Sequence, residues 1–372
     1  MLQKLYKINV LTQETDKKLK VYRDRIDEID AEILSLMNSR LSAAQSIAEI
    51  KSSLQEPAFY RPEREAQVLR RLQKLNRGLL PDQSLESLFR EIMSITRGTE
   101  AGLSVSVLGP LGTYTEAAAR QHFGSSIEIV DFPTIDEIFK ATEAGNTNFS
   151  VVPVENSTEG GVTGTLDRLI NTSLLICGEI NLQIHHNLLS NESDVGNITR
   201  IFAHTQSLGQ CKRWIDNNCP GAERIPLGSN AEAARKVADE SAGCAAIAGD
   251  VAAKRYGLDV LSSNIEDEPG NTTRFLVLSD RTTPPSGCDK TSLLLSCRST
   301  PGALLRLLQP LLEEQIDMTK IESRPSRVGL WEYVFFVDII GHQDDEHIAR
   351  ALTRLKTEAG LFKNLGSYPT AI

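Results

Sequence analysis

No apolar run in the 372 residues is long enough to cross a bilayer. Met1 to Lys20 mixes Lys with Asp and Glu and holds no hydrophobic segment, so no secretory signal is expected. Basic excess is missing as well. Forty Lys and Arg against 49 Asp and Glu leave a formal charge of −9 and a pI near 5.4, which argues against nucleic acid or an anionic membrane as the main partner. The six cysteines, at 177, 211, 219, 244, 288 and 297, form no CxxC pair and read as reduced thiols of a cytoplasmic protein. The six histidines lack metal-ligand spacing, and the pair His185-His186 sits in an apolar strand, where it reads as structural. Neither a metal nor a cofactor is expected. Asn156-Ser-Thr and Asn271-Thr-Thr match the glycosylation pattern, which is idle without a secretory route.

What is present is length enough for two or three domains, and a change of period along the chain. From Leu19 to Leu54 apolar residues recur in steps of three and four (Leu19, Tyr22, Ile26, Ile29, Ile33, Leu36, then Ala43, Ile47, Ile50, Leu54), with no Pro or Gly between them. Such a helix would be ~50 Å long, too long for one small helical domain to cover, and it calls for a partner helix from a second copy of the chain. Arg40 occupies a position in that seam where an apolar residue is due, and a buried guanidinium needs a carboxylate or a ligand. At ~100° per residue Lys51 falls within about 20° of Arg40, whereas Arg23 lies roughly 100° away. Arg40 and Lys51 can therefore line one pocket while Arg23 points toward another. The alternative is an internal salt bridge from Arg40 to Glu65 or another acid. A second helix begins at Tyr60-Arg-Pro-Glu-Arg-Glu65 with Pro62 in its first turn, and a third runs from Asp82 to about Glu100, with Phe89, Ile92, Thr96 and Glu100 on one face.

After the small-residue linker Arg97 to Gly102, strands and helices alternate, predicting two sequential α/β lobes with a cleft between them. Strands are expected at Val105–Leu108, Ile127–Phe132, Phe149–Val154, Leu174–Ile184, Ile201–Ala203, Arg224–Pro226 and Cys244–Ala248. The chain then returns through Leu258–Ile265 to a strand over Thr272–Leu278. The helices include Thr115–His122, Ile135–Ala144, Thr165–Ile170, Ser207–Asn217 and Asn230–Asp239. Three loops reach toward the cleft. Gly109 to Thr115 offers backbone amides and the hydroxyls of Thr113, Tyr114 and Thr115 to an anion. Asn156-Ser-Thr-Glu-Gly-Gly161 allows close backbone approach, and Pro269-Gly-Asn-Thr-Thr273 delivers Asn271 and Thr273 to the mouth of a strand. Glu155 reads either as a general acid or as the partner of a base such as Arg168. Past a linker at Ser279–Asp289, the order strand, helix, strand, strand, helix, strand is ferredoxin-like.

These words resemble a known family in three blocks. Gly112-Thr-Tyr-Thr-Glu-Ala-Ala-Ala119, Val154-Glu-Asn-Ser-Thr-Glu-Gly160, Thr165-Leu-Asp167, His186, Gln210-Cys211, Ile265-Glu-Asp267 and Asn271-Thr-Thr-Arg-Phe275 resemble prephenate dehydratases. The helices from Leu19 to Glu100 resemble the chorismate mutase domain fused to such enzymes. Gly302-Ala-Leu-Leu305 and Thr319-Lys-Ile-Glu-Ser-Arg-Pro325 resemble the ACT regulatory domain. The resemblance implies a multidomain protein with an N-terminal extension (1–18), an all-α mutase domain forming an intertwined dimer (19–100), a two-lobed, periplasmic-binding-protein-like α/β dehydratase domain (103–280) and a ferredoxin-like ACT domain (290–372). Chorismate would be rearranged to prephenate, and prephenate decarboxylated and dehydrated to phenylpyruvate, with L-phenylalanine as feedback inhibitor and a homodimer or larger homo-oligomer as the working form.

Carried over by motif, Arg23, Arg40, Lys51, Arg61, Arg64, Glu65, Thr96 and Glu100 would bind the mutase substrate, with Arg40, Lys51 and Glu100 acting in the rearrangement. Thr273 would be the essential threonine, helped by Asn156 and Gln210, with Thr113, Tyr114, Thr115, Ser157, Ser229, Asn271 and Arg274 also touching the dehydratase substrate. Gly302, Ala303, Leu304, Leu305, Glu322, Ser323, Arg324 and Pro325 would hold phenylalanine where two ACT domains pair. Four stretches depart from the family pattern. Arg61 replaces an Asp and Glu100 a Gln; Ala203-His-Thr-Gln206 stands for Ser-His-Pro-Gln, and Gly228-Ser-Asn230 for a Thr-Ser-Thr stretch. A dehydratase whose mutase domain serves only dimerisation, and a two-lobed small-molecule-binding regulator, are the competing expectations.

Overall fold

The computed structural model describes residues 2–53, 60–98, 102–240, 242–297, 300–325 and 333–371, with only the helical backbone for 2–14 and 51–53. The chain divides into two compact units, Met1–Phe59 with Thr96–Ala101 and Tyr60–Ile95 with Gly102–Ile372. The first unit is built on α1 (Leu2–Ser53), 52 residues long. Residues 2–18, within the expected N-terminal extension 1–18, are helical and run on into the rest of α1. Along it Tyr22, Ile26, Ile29, Ile33 and Leu36 form an apolar stripe that a single chain leaves exposed, Tyr22 at 71% and Leu36 at 70%.

The second unit opens with α2 (Pro62–Leu75) and α3 (Asp82–Gly98), the last turn of α3 belonging to the first unit. Pro62 starts α2 with Glu63 and Glu65 in the first turn, where the helix dipole favours acids. Tyr60 pins the start of α2 to the α/β core: its ring is buried against Phe123 and Phe149, and its hydroxyl meets Nε2 of His122 at 2.7 Å.

The first lobe runs β1 (Leu103–Leu108), α4 (Tyr114–Phe123), β2 (Ile127–Phe132), α5 (Ile135–Glu143), β3 (Phe149–Asn156), the two-residue β4 (Gly160–Gly161), α6 (Thr163–Asn171) and β5 (Leu175–Gln183). The second lobe follows as β6 (Asn187–Ser190), β7 (Arg200–His204), α7 (Thr205–Gln210), α8 (Lys212–Asn218), β8 (Glu223–Leu227), α9 (Asn230–Asp239), β9 (Cys244–Ala248), α10 (Asp250–Tyr256) and β10 (Asp259–Ser262). The chain then returns to the first lobe through β11 (Thr272–Ser279). The sheets are ordered β2-β1-β3-β11-β5, with β4 beside β3, and β10-β6-β9-β7-β8. β11 lies antiparallel between β3 and β5, so a strand late in the sequence becomes central to the first lobe. Two expectations are corrected. The helix expected over Ser207–Asn217 is two helices, broken at Cys211, whose φ of −111° and ψ of 15° leave the helical well. β6 was not anticipated, since four residues are too few to show a period.

The C-terminal order β12 (Asp289–Ser296), α11 (Ala303–Glu313), β13 (Met318–Pro325), β14 (Tyr333–Ile340), α12 (Glu346–Glu358) and β15 (Leu361–Pro369) gives the ferredoxin-like antiparallel sheet β13-β14-β12-β15. Trp331, just ahead of β14, lies outside the described residues. One face of this sheet packs on its own helices through Leu293, Leu295, Leu307, Val337 and Ile348. The other face shares a core with the first lobe, where Leu294, Phe336, Leu365 and Tyr368 meet Val152, Leu166, Leu276 and Leu278.

Candidate active site

A cavity of about 490 Å³ opens between the two lobes, lined among others by Thr158, Glu159, Gln210, Arg213, Glu266 and Asn271. Beside it β3 and β11 pair so that Thr273 lies opposite Asn156; of the residues around this pair Asn271 lines the cavity, whereas Thr273, Asn156 and Ser157 do not. The Asn156 side-chain oxygen accepts from the backbone N–H groups of Thr158 (3.0 Å) and Glu159 (3.1 Å), which closes a local turn and fixes the amide. Its nitrogen is thereby aimed at β11, donating to Asn271 Oδ1 and to Thr273 Oγ1, each at 2.8 Å. Thr273 is 9% exposed, and its oxygen is an acceptor from Asn156, so its own proton is left to point elsewhere. Ser157 is a brace: its hydroxyl accepts from the Thr272 amide at 3.0 Å.

Gln210, the last residue of α7, is held from below. Its Oε1 lies 2.8 Å from Nε2 of His186, whose Nδ1 meets the Tyr114 hydroxyl at 2.8 Å. Burial pushes the His186 pKa down and that of Tyr114 well up, so both stay neutral at pH 7. Glu266 bonds His185 Nδ1 and the His186 amide. Burial works to raise its pKa, but these hydrogen bonds outweigh it and the carboxylate is held below its ordinary range. His186 and Glu266 thus support the site; both stand in the words that resemble the dehydratases, though neither was given a role. His185 and His186, expected within an apolar strand, lie in the link between β5 and β6.

The other residues expected at the dehydratase site are placed as follows. In the loop before α4, Glu116, four residues on, takes the Gly112 N–H at 2.7 Å. Thr113 caps α4 and donates to Leu108 O. Tyr114 reaches the His185 carbonyl and His186, and Thr115 is buried. Ser229 caps α9 through the Glu232 amide. None of these residues lines the cavity. Arg274 turns to the opposite side of β11, bonding Glu179, Asp338 and Tyr368. Glu155 pairs with Lys320 at 2.7 Å, whereas Arg168 pairs with Asp136 and Glu143.

In the first unit Arg40 is half-buried and donates to the hydroxyl of buried Thr96, bringing together two expected mutase residues 56 positions apart. Arg23 is exposed on α1. The Lys51 side chain and Glu100 lie outside the described residues. Arg61 immediately precedes α2 in the second unit, with Arg64 and Glu65 in the first turn. In the C-terminal sheet Gly302 takes a left-handed φ of 73° at the head of α11, and Leu305 is 76% exposed. Glu322 and Arg324 face the first lobe, Arg324 meeting Thr163 and Asp167, while Ser323 and Pro325 are exposed.

Three family models match in order along the chain: chorismate mutase type II over residues 22–101, prephenate dehydratase over 105–283 and the ACT domain over 291–357. A bifunctional chorismate mutase/prephenate dehydratase of Neisseria gonorrhoeae is 51% identical over 97% of this chain and 100% of its own length. The Pseudomonas aeruginosa protein of the same name is 48% identical over 95% and 98%. Among solved structures, the prephenate dehydratase of Arthrobacter aurescens in complex with L-Phe is 33% identical, with a TM-score of 0.66, over 72% of this chain and 90% of that one. With all three blocks present and half of its residues shared along nearly the whole length of such a relative, the chain belongs to the bifunctional chorismate mutase/prephenate dehydratase family.

Proposed function

We propose that this chain rearranges chorismate to prephenate in its N-terminal helical region and converts prephenate to phenylpyruvate between its two α/β lobes, under feedback inhibition by L-phenylalanine at the C-terminal sheet. We assign residues 19–100 to the mutase, 103–280 to the dehydratase and 290–372 to the ACT domain. Among the described residues no helix is long and apolar enough to cross a membrane, in keeping with a cytoplasmic enzyme.

The observation that carries the dehydratase reading is the Asn156–Thr273 hydrogen bond. As the prephenate ring aromatises, the ring carboxylate leaves as carbon dioxide and its bond electrons enter the ring. The ring hydroxyl departs with its own bond pair. A Thr hydroxyl is a poor acid in water, so Thr273 acts as a positioned donor to that departing oxygen. Asn156 occupies the Thr273 acceptor side and so directs its proton outward. Gln210 and Asn271, on the cavity wall, are assigned to orient the substrate, beside Arg213, whose guanidinium is bonded to Asp267 of the same wall.

The rearrangement of chorismate is unimolecular and needs no nucleophile. Cations that grip two carboxylates select the reactive conformer, and a donor stabilises charge on the breaking ether bond. Arg23, Arg40, Lys51, Arg61 and Arg64 are the cations assigned to that work, with Glu65, Thr96 and Glu100 as polar partners. Supporting this reading, Arg40 is half-buried and already directed by Thr96. The exposed stripe of α1 would be covered by a second copy, making the enzyme a homodimer or a larger assembly. Phenylalanine is assigned to Gly302–Leu305 and Glu322–Pro325, with backbone amides at the head of α11 for its carboxylate. Purified protein given chorismate and prephenate in separate assays should form prephenate from the first and phenylpyruvate from both. Turnover of prephenate alone would reduce the helical region to a dimerising element.

A further inference from the structure

Next to the Asn156–Thr273 pair, which reaches the cavity wall through Asn271, sits a second pair turned the other way. In the β3–β11 register Thr273 lies opposite Asn156, and the adjacent rung sets Arg274 opposite Glu155. Successive residues of a strand point to opposite faces of a sheet, so the second pair emerges on the side where the C-terminal sheet packs. Both of its members are bound there. The Arg274 guanidinium donates through Nη1 to Asp338 Oδ2 (2.6 Å) on β14 and through Nη2 to the Tyr368 hydroxyl (2.9 Å) on β15. Its Nε donates to Glu179 Oε2 (2.9 Å) on β5. Glu155 accepts from Lys320 Nζ at 2.7 Å. Lys320 lies on β13, the strand that carries Glu322-Ser-Arg-Pro325.

We propose that Arg274 and Glu155 form a two-pronged clasp through which the C-terminal sheet sets the positions of Thr273 and Asn156. The proposal rests on the reading of Thr273 as the donor in prephenate turnover. Arg274 and Lys320 are each only 14% exposed, Glu179 and Asp338 are 1% and 8% exposed, and Glu155 is 39% exposed. Hydrogen bonds in a setting as dry as that of the Arg274 prong resist stretching, and a planar fork committed to three partners fits one arrangement of the two sheets. Asp338 is itself fixed by Ser292 of β12 in its own sheet (2.6 Å), and Glu179 of β5 is held across the seam by Lys290 of β12 (2.8 Å), so neither anchor swings freely. A shift of β13, β14 or β15 is therefore carried by Arg274 and Glu155 to the neighbouring residue of β11 and of β3. Those neighbours are Thr273 and Asn156. Arg274 and Glu155 are positioning residues; they touch no reacting atom.

A merely structural seam would make the same contacts, so the test reads turnover and inhibition separately. Arg274→Lys, Asp338→Asn and Lys320→Met should each lower kcat for prephenate by about tenfold or more while KM stays within about threefold. L-phenylalanine should still bind by calorimetry within about threefold of wild type, yet its half-inhibiting concentration should rise about tenfold or more. Chorismate rearrangement should be untouched. Variants that melt like wild type but keep both kcat and phenylalanine sensitivity would overturn the clasp, as would loss of inhibition that merely tracks loss of phenylalanine binding. Should the Arg274 variant fail to fold, Lys320→Met, at the half-exposed prong, decides the matter alone. Thr273→Ala measured in parallel separates two failures. If it retains turnover, the site assignment falls and the clasp with it; if it is inactive while the clasp variants behave as wild type, only the clasp falls.

Discussion

Asn156 decides which way the Thr273 proton points. Its oxygen is occupied by two backbone amides, so the amide cannot flip, and Thr273 Oγ1 must accept from it. Asn156→Asp keeps the shape but replaces the donor with a second acceptor, and Thr273 would then turn its proton inward. Dehydratase kcat should fall about 10²-fold, the scale of losing one positioned donor, with chorismate rearrangement unchanged. Steady-state assays of both reactions on one preparation check this. Glu100 raises the opposite question, since a glutamate can donate to an ether oxygen only when protonated. Mutase activity should fall as pH rises, and Glu100→Gln should flatten that profile. An unaltered profile in the variant would remove Glu100 from the role.

At the scale of the element, the loop ahead of α4 and the strand β11 show what the sequence reveals and conceals. The βαββαβ order and the position of Thr273 were legible because strand period and turn residues are local signals. The fate of Arg274 was legible too, in principle: the alternation of neighbouring strand residues puts it on the face opposite Thr273. In the Gly109–Thr115 loop the Gly112 amide is filled from within by Glu116, a pairing that the glycine turn alone does not announce. Which lobe supplies the remaining partners is a matter of tertiary contact. Arg255 of α10 meets Glu116 at 2.8 Å, and Tyr256 meets the Leu111 carbonyl, so this loop ties the lobes together.

Burial would raise the Glu116 pKa, but hydrogen bonds from Arg255, Gly112 and Arg120 outweigh it and hold the pKa below its ordinary value. The stabilisation is therefore complete above the unfolded carboxylate pKa and is lost as pH falls through the lowered folded value. Glu116→Gln should cost about 2 kcal/mol at neutral pH and shrink the acid-side decline in melting temperature. Thermal melts over a pH series would read both effects.

For the whole molecule, α1 leaves the apolar stripe Tyr22, Ile26, Ile29, Ile33 and Leu36 exposed in a single chain. The second copy proposed to cover it would place the cations of α1 in a wall between chains. Ile26→Glu combined with Ile33→Glu should shift the protein toward monomer in sedimentation velocity and abolish chorismate rearrangement. Prephenate turnover should survive far better, since its cavity is built within one chain. A variant that sedimented as wild type would show that this stripe is not the seam.

The most direct measurement gives Thr273→Ala chorismate as its sole substrate and follows both products with time. Prephenate should accumulate at the wild-type rate while phenylpyruvate fails to appear. Phenylpyruvate forming at close to the wild-type rate would contradict the assignment of Thr273 and the chemistry built on it.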